Sequence, residues 1–554
     1  RTSSSAASDV YKRQGYDFKL VYEMMVETED ENVVPGKYYT LLDAHSGEIL
    51  YRQNQVHSCA KPLMADVTID ADVVGNILDP TTVELMPHMH IEVGGNDYYT
   101  DAMGNLNIPT VTGPVSGTIH MEGPYAEVYI GQTTNVINSF PVTVDAGTNS
   151  LTLNGNATPS EISGFYHTNV IHDYVKSFFP GMTAIDFPIE VRVDRTDGDC
   201  NAFYDGSINF YAAGGGCPAT VFFHDVVYHE YGHGVNYDVY NYLGGFFNNG
   251  ALGEGYADMW GLGVTENPVL GRGFQGGTNS FVRRYDEDPK VYPDDLVGQV
   301  HADGEIIAGA WWDFAQAIGG DVQAMMQLFA ETHDATPMRP DGQEGALYRD
   351  ILLEALLHDD TDGDISNGTP NDTAIIFSFG IHGITLLANV AVDHVDMPRV
   401  NDSETVTIEA ELDVDFPVYL GDFTMYYRTD DVSPWTTMPM THISGDDYEA
   451  DIPAMPEGTI LRYYFDVTDI YGQKALVKPK QADLASPNLP YYTLVGYTEV
   501  RKEDFDNEFG DWIIDPFNDD DATTGIWEFD QPAGTVDGNI PVSYTHLTLP
   551  TMMS

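Results

Sequence analysis

The sequence predicts a multidomain chain with an α-rich segment of the α+β kind flanked on both sides by all-β segments. Three observations carry this. The chain has 554 residues, enough for several domains and a large buried core. Helix-length apolar patterns are confined to its middle, near 160–179, 219–240, 251–264, 303–319, 321–333 and 344–358. On either side the pattern alternates with a period of two, as half-buried strands do.

The segments follow in order. Residues 1–14 and 541–554 read as non-native sequence of the read-through type and are set aside, and the chain starts without Met and without a secretory signal. Residues 15–58 alternate (YDFKLVYEMMV, then KYYTLLD), with turns at Val34-Pro35-Gly36 and His45-Ser46-Gly47. Residues 59–158 are rich in Val, Thr, Gly and Asn and lack a helical period, which predicts a small all-β domain. Residues 159–384 form the α-rich core. Residues 385–497 (TVTIEAELDV, FTMYYRT, RYYFDVTDIYG) have the spacing of an immunoglobulin- or fibronectin-like β-sandwich, and 498–540 reads as the start of a truncated β-domain.

Composition excludes several classes of function. Asp and Glu number 86 against 24 Lys and Arg, for a formal charge of -62. Such a surface repels phosphate backbones, so nucleic acid is not an expected partner. No apolar run is long enough for a transmembrane segment. Three cysteines are too few for a disulfide scaffold, but Cys200 and Cys217 flank one strand–loop segment and can bridge in an oxidising compartment. Cys59 has no evident partner.

The chemistry is concentrated in TVFFHDVVYHEYGHGVNYDVY, which contains His229-Glu230-Tyr231-Gly232-His233. Two histidines four residues apart on a helix share one face and can bind one Zn²⁺, with Glu230 beside the open coordination position. The segment ALGEGYADMWG then supplies Glu254 and, one turn on, Asp258. Glu254 completes a His₂Glu set, and Asp258 can accept the N–H of a ligating imidazole. Both acids lie among Gly, Ala and Trp, where an unpaired carboxylate is costly to bury. Asn201 and Ala202 open an edge-strand pattern able to pair with an extended peptide. His301 stands at a helix entrance that Asp303 can cap, where an imidazole can point a donor into a cleft.

Taken together, NAFYDGS, HEYGHG, GALGEGYAD and VHADGE, in this order, resemble the fungalysin family of secreted metalloendopeptidases, relatives of thermolysin. The resemblance spans roughly residues 160–384 and implies an α+β thermolysin-like catalytic domain. It implies His229, His233 and Glu254 as zinc ligands, Glu230 as base and Asp258 as the partner of a ligand histidine. It further implies Asn201 and Ala202 on the substrate edge and His301 as transition-state donor. Residues 15–58 look like the end of a propeptide that inhibits such enzymes, which implies a secreted zymogen acting on proteins or peptides. Two departures stand out: the position of a catalytic tyrosine is taken by Gly244 or Gly245, near Tyr240 and Tyr242, and the acid that orients the histidine has no match in register, with Asp294 and Asp295 close by.

One more acidic loop, with Asp360, Asp362 and Asp364 around Gly363, has the alternation of a calcium loop but lacks the bidentate Glu of an EF-hand. The reading is thus a zinc endopeptidase. A zinc aminopeptidase on the same ligands is the first rival, disfavoured because no G-x-M-E-N segment is present. The second is a surface adhesion protein with a vestigial metal site, whose β-domains bind polymers or the cell surface. The intact Glu230 weighs against it.

Overall fold

Strand Met64–Val73 shows how pattern becomes layer: Ala65, Val67, Ile69, Ala71 and Val73 are buried while their neighbours face outward. The computed structural model describes residues 19–27, 36–55, 64–484 and 490–498. The two terminal segments set aside, Cys59 and nearly all of 498–540 lie outside the described residues.

Strands Val21–Glu27, Lys37–Asp43 and Ile49–Asn54 form an antiparallel three-stranded sheet. The next segment builds two sheets of its own, one around Met64–Val73 and one ordered Ser139–Val144, Val115–His120, His90–Val93, Asn96–Tyr99. Its strand Ala126–Ile130, however, pairs in parallel with Ile189–Arg195, beyond residue 159. The apolar core is likewise continuous, running from Ala65 through Trp260 and Trp311 to Leu386. The expected small all-β domain over 59–158 therefore has no core separate from the α-rich segment. Alternation identifies strands but does not say which core they cover.

Among the described residues seven α-helices follow: α1 Pro159–Phe178, α2 His224–Tyr242, α3 Gly250–Thr265, α4 Val300–Ala317, α5 Val322–Glu331, α6 Glu344–Asp359 and α7 Asp372–Ile381. Helix α1 starts on a capping box, with Thr158 bonding the Glu161 amide and Glu161 bonding back, and Pro159 fills the first turn. Helix α7 is not anticipated by the sequence reading, since DTAIIFSFGI is short and rich in β-branched and aromatic residues.

Helices α2, α3 and α4 approach closely because glycines line their contacts. A Cβ at Gly232 would stand 3.0 Å from the Ala257 Cα, and one at Gly304 would stand 2.6 Å from the Ala251 carbonyl oxygen. One at Gly255 would stand 2.6 Å from the Gly304 oxygen. Without Cβ atoms at these points the three backbones come near enough for their side chains to share one site. After residue 386, a four-stranded and a six-stranded sheet enclose a second apolar cluster, including Ile408, Met425, Tyr463 and Phe465.

Candidate metal centre

Helix α2 carries His229, Glu230 and His233, α3 carries Glu254 and Asp258, and α4 begins beside His301. The His229 and His233 Nε2 atoms are 3.1 Å apart. Glu254 faces both, with its oxygens 3.5 Å from His229 Nε2 and 3.6 Å from His233 Nε2. His229, His233 and Glu254 form a set whose ligand atoms converge within 4.8 Å. Glu254 Oε2 is buried and has no hydrogen-bond partner among the described residues. Two imidazole nitrogens meeting head-on beside an orphaned carboxylate oxygen make a pocket of lone pairs, which suits a divalent cation.

The partners outside this set fix its orientation. His229 Nδ1 donates to Asp258 Oδ1 at 2.6 Å, leaving the Nε2 lone pair turned inward. Arg283, which the sequence reading did not single out, clamps Asp258 with Nε at 2.5 Å and Nη2 at 2.6 Å. The Tyr285 hydroxyl also donates to Asp258. Arg283 is buried and reaches the site from the two-stranded Val269–Leu270/Arg283–Arg284 ladder, so only the tertiary fold brings it there. Burial raises the Asp258 carboxyl, but the charges of Arg283 and His229 outweigh this and hold it well below the usual range.

The electrostatics separate the roles. Burial pushes Glu230 up to about 7, with His229 opposing and Glu254 adding to the shift. Burial and the neighbouring His229 keep His233 far below the ordinary imidazole range, so its lone pair is available. Three buried carboxylates, Glu230, Glu254 and Asp258, face one guanidinium, a negative excess that a divalent cation neutralises.

His301 does join the site: its Nε2 is 3.5 Å from Glu254 Oε1, and its side chain is 52% exposed, at the rim. Asp303 does not cap α4. Gln299 is the N-cap, its side chain accepting from the Ala302 amide, while Asp303 is buried and accepts from the Val297 amide. Asp294 pairs with Lys480 and Asp295 accepts from the Val291 amide, so each is engaged away from His301. The nearby tyrosines are engaged as well: Tyr240 is buried on the Pro337 carbonyl and Tyr242 donates to the Gly181 carbonyl.

Strand Ala202–Tyr204 lies at the edge of its sheet, and the Tyr204 ring stacks 6.4 Å from that of His233. Asn201 precedes it with an exposed side chain, its carbonyl taken by Thr220. Cys200 and Cys217 are disulfide-bonded, which ties the approach to this edge back to the loop before α2. In the acidic loop the carboxylates serve the loop itself: Asp360 accepts from the Thr361 and Gly363 amides, Asp362 from Asp364, and Asp364 from Ser366.

Residues 95–236 match the family model of the thermolysin metallopeptidase catalytic domain. The chain carries a thermolysin-like metallopeptidase domain. That family is one of zinc metalloendopeptidases, so zinc is the expected metal and proteins or peptides the expected substrates. The match takes in His229, Glu230 and His233, ends before Glu254, and begins inside the β-rich segment, in keeping with the shared core. Among the described residues no helix is long and apolar enough to cross a membrane.

Proposed function

We propose that this chain is a secreted, fungalysin-like zinc endopeptidase that hydrolyses internal peptide bonds, with His229, His233 and Glu254 as the metal ligands. The observation that carries the reading is the convergence of two imidazole nitrogens and an orphaned carboxylate oxygen on one point. When bound there, Zn²⁺ supplies a Lewis acid and lowers the pKa of water to about 7.

The chain's own groups do the rest. Glu230, buried and raised, accepts a proton from the attacking water and hands it to the leaving amine. His301, at the rim, donates from Nε2 to the oxygen on which negative charge develops. Asp258, held by Arg283 and Tyr285, keeps His229 in the tautomer that directs Nε2 inward. The Ala202–Tyr204 edge pairs with the substrate backbone, and Asn201 supplies a side-chain contact beside it.

In the same reading, residues 15–58 are the end of an inhibitory propeptide, removed by cleavage between about Val56 and Asp66, and the C-terminal β-unit binds polymers or a surface. The Asp360, Asp362 and Asp364 carboxylates accept amides of their own loop, and calcium there rests on the sequence alternation alone. A phenanthroline-type chelator should abolish hydrolysis of an N-blocked peptide, while serine- and cysteine-protease inhibitors leave it intact. Full activity in excess chelator overturns the zinc reading, and activity confined to free N-termini overturns the endopeptidase reading.

A further inference from the structure

We propose a second divalent-cation site, made by His90, His120 and Glu122 on the β-rich part of the catalytic core. Cross-strand register creates it. Ser139, His120, His90 and Tyr99 stand opposite one another on four adjacent strands. The His90 ring is stacked between His120 at 4.6 Å and Tyr99 at 4.9 Å. Glu122 follows two residues after His120, and its carbonyl accepts from the His90 amide, which holds its side chain beside the row. His90, His120 and Glu122 each offer a ligand atom within 4.8 Å of the others.

The hydrogen-bond inventory leaves room for a cation. His90 Nε2 lies 2.9 Å from Asp97 Oδ1, and its Nδ1 lies 2.8 Å from Glu122 Oε1. A neutral imidazole carries one N–H and can donate to only one of two flanking carboxylates. The other contact sets a lone pair against a carboxylate oxygen unless a positive charge lies there. His120 Nδ1 is 2.8 Å from Ser139 Oγ, which itself donates to the Ile137 carbonyl. The buried His120 Nε2 has no partner among the described residues.

With Asp97 accepting the Nε2 proton, His90 has the carboxylate–histidine arrangement seen at His229 and Asp258, its Nδ1 lone pair turned to Glu122. A cation entering here replaces the His90–Glu122 contact and takes the His120 nitrogen as third ligand. Two imidazoles and one carboxylate suit Zn²⁺ or a neighbouring transition ion rather than Ca²⁺ or Mg²⁺. The Glu122 side chain is 28% exposed, so solvent reaches the site at this ligand.

The inference is independent of the function proposed for α2 and α3. Chelator-stripped full-length chain titrated with Zn²⁺ against a chromogenic competitor should take up two equivalents. His120→Gln and Glu122→Gln should each take up one, with peptide hydrolysis at one equivalent unchanged. Should either variant fold poorly, crystals of the unaltered chain soaked in Zn²⁺ decide by an anomalous map at the zinc edge. A peak bounded by His90, His120 and Glu122 supports the site. Variants that take up as many equivalents as the unaltered chain, or a peak only at His229, His233 and Glu254, overturn it.

Discussion

The Gln299 side-chain amide donates to His301 Nδ1 across 2.6 Å, and this contact sets which nitrogen of His301 carries the proton. Gln299 Oε1 is occupied by the Ala302 amide at 2.8 Å, so its Nε2 is the group facing the imidazole. An amide nitrogen can only donate, so His301 Nδ1 accepts and the proton sits on Nε2, toward Glu254. A cap residue thereby does the orienting for which an acid was sought in the sequence.

His301→Ala should cost roughly 2 to 4 kcal/mol of transition-state stabilisation, about 30- to 1000-fold in kcat/KM, mainly in kcat. Gln299→Ala should give a smaller kcat loss, on the order of tenfold, with KM little changed. Metal content should stay constant in both. A His301 variant that lost its metal would make it a ligand, and unaltered kinetics would make it a surface histidine.

Glu230→Gln keeps size and packing but removes the proton acceptor. Turnover should fall at least ~10²-fold with the metal retained, whereas Glu254→Gln should lower metal occupancy. Atomic absorption alongside single-turnover kinetics separates the two. Wild-type turnover in the metal-loaded Glu230→Gln variant would remove Glu230 from the mechanism.

Arg283→Met leaves Asp258 buried against His229 without its guanidinium. Breaking a buried pair from one side costs about 3 to 5 kcal/mol, so a large drop in the unfolding midpoint is expected, together with weaker metal binding. Denaturant unfolding of the metal-free and metal-loaded forms would show both effects. A change below ~1 kcal/mol would mean that the pair is not structural.

Gly304→Ala sets a methyl against the Ala251 carbonyl and the Gly255 amide, at 2.6 and 2.8 Å, and must push α3 and α4 apart. Overpacking of this kind costs about 1 to 3 kcal/mol, and the shift draws His301 away from Glu254. Lower stability combined with reduced kcat is expected. Reduced stability with full kcat would show that the helix spacing does not set the site.

Stability should also fall in acid through two buried histidines, an effect that Glu230, raised by burial to about 7, opposes only in part. Burial holds His167 near 3, with His224 adding to the effect, and burial holds His333 near 4. Both folded values lie below the unfolded one, so the unfolded chain binds more protons as pH drops below about 6.5. Their contribution is present above that pH and is lost toward the folded values, at up to about 1.4 kcal/mol per pH unit for each histidine. Denaturant midpoints measured from pH 7 to 4.5 should decline steadily; a flat profile would show that these histidines are solvated.

The amino-acid sequence by itself determined the candidate chemistry-bearing set, because the proposed ligands sit at fixed local spacings. His229 and His233 are one turn apart, Glu254 and Asp258 are another such pair, and helical periodicity puts each pair on one face. It also determined the strand–helix–strand order, since period-2 and helical patterns are local properties. Tertiary structure alone decided what surrounds that set. Arg283 arrives on a two-residue ladder with no motif, Gln299 displaces Asp303 as the cap, and His90 meets His120 through cross-strand register. The core joining the β-rich segment to the helices belongs to the same class. Each of these depends on contacts between residues far apart in the chain. Such contacts are set by how whole faces bury one another, and a pattern read over one segment does not contain that information.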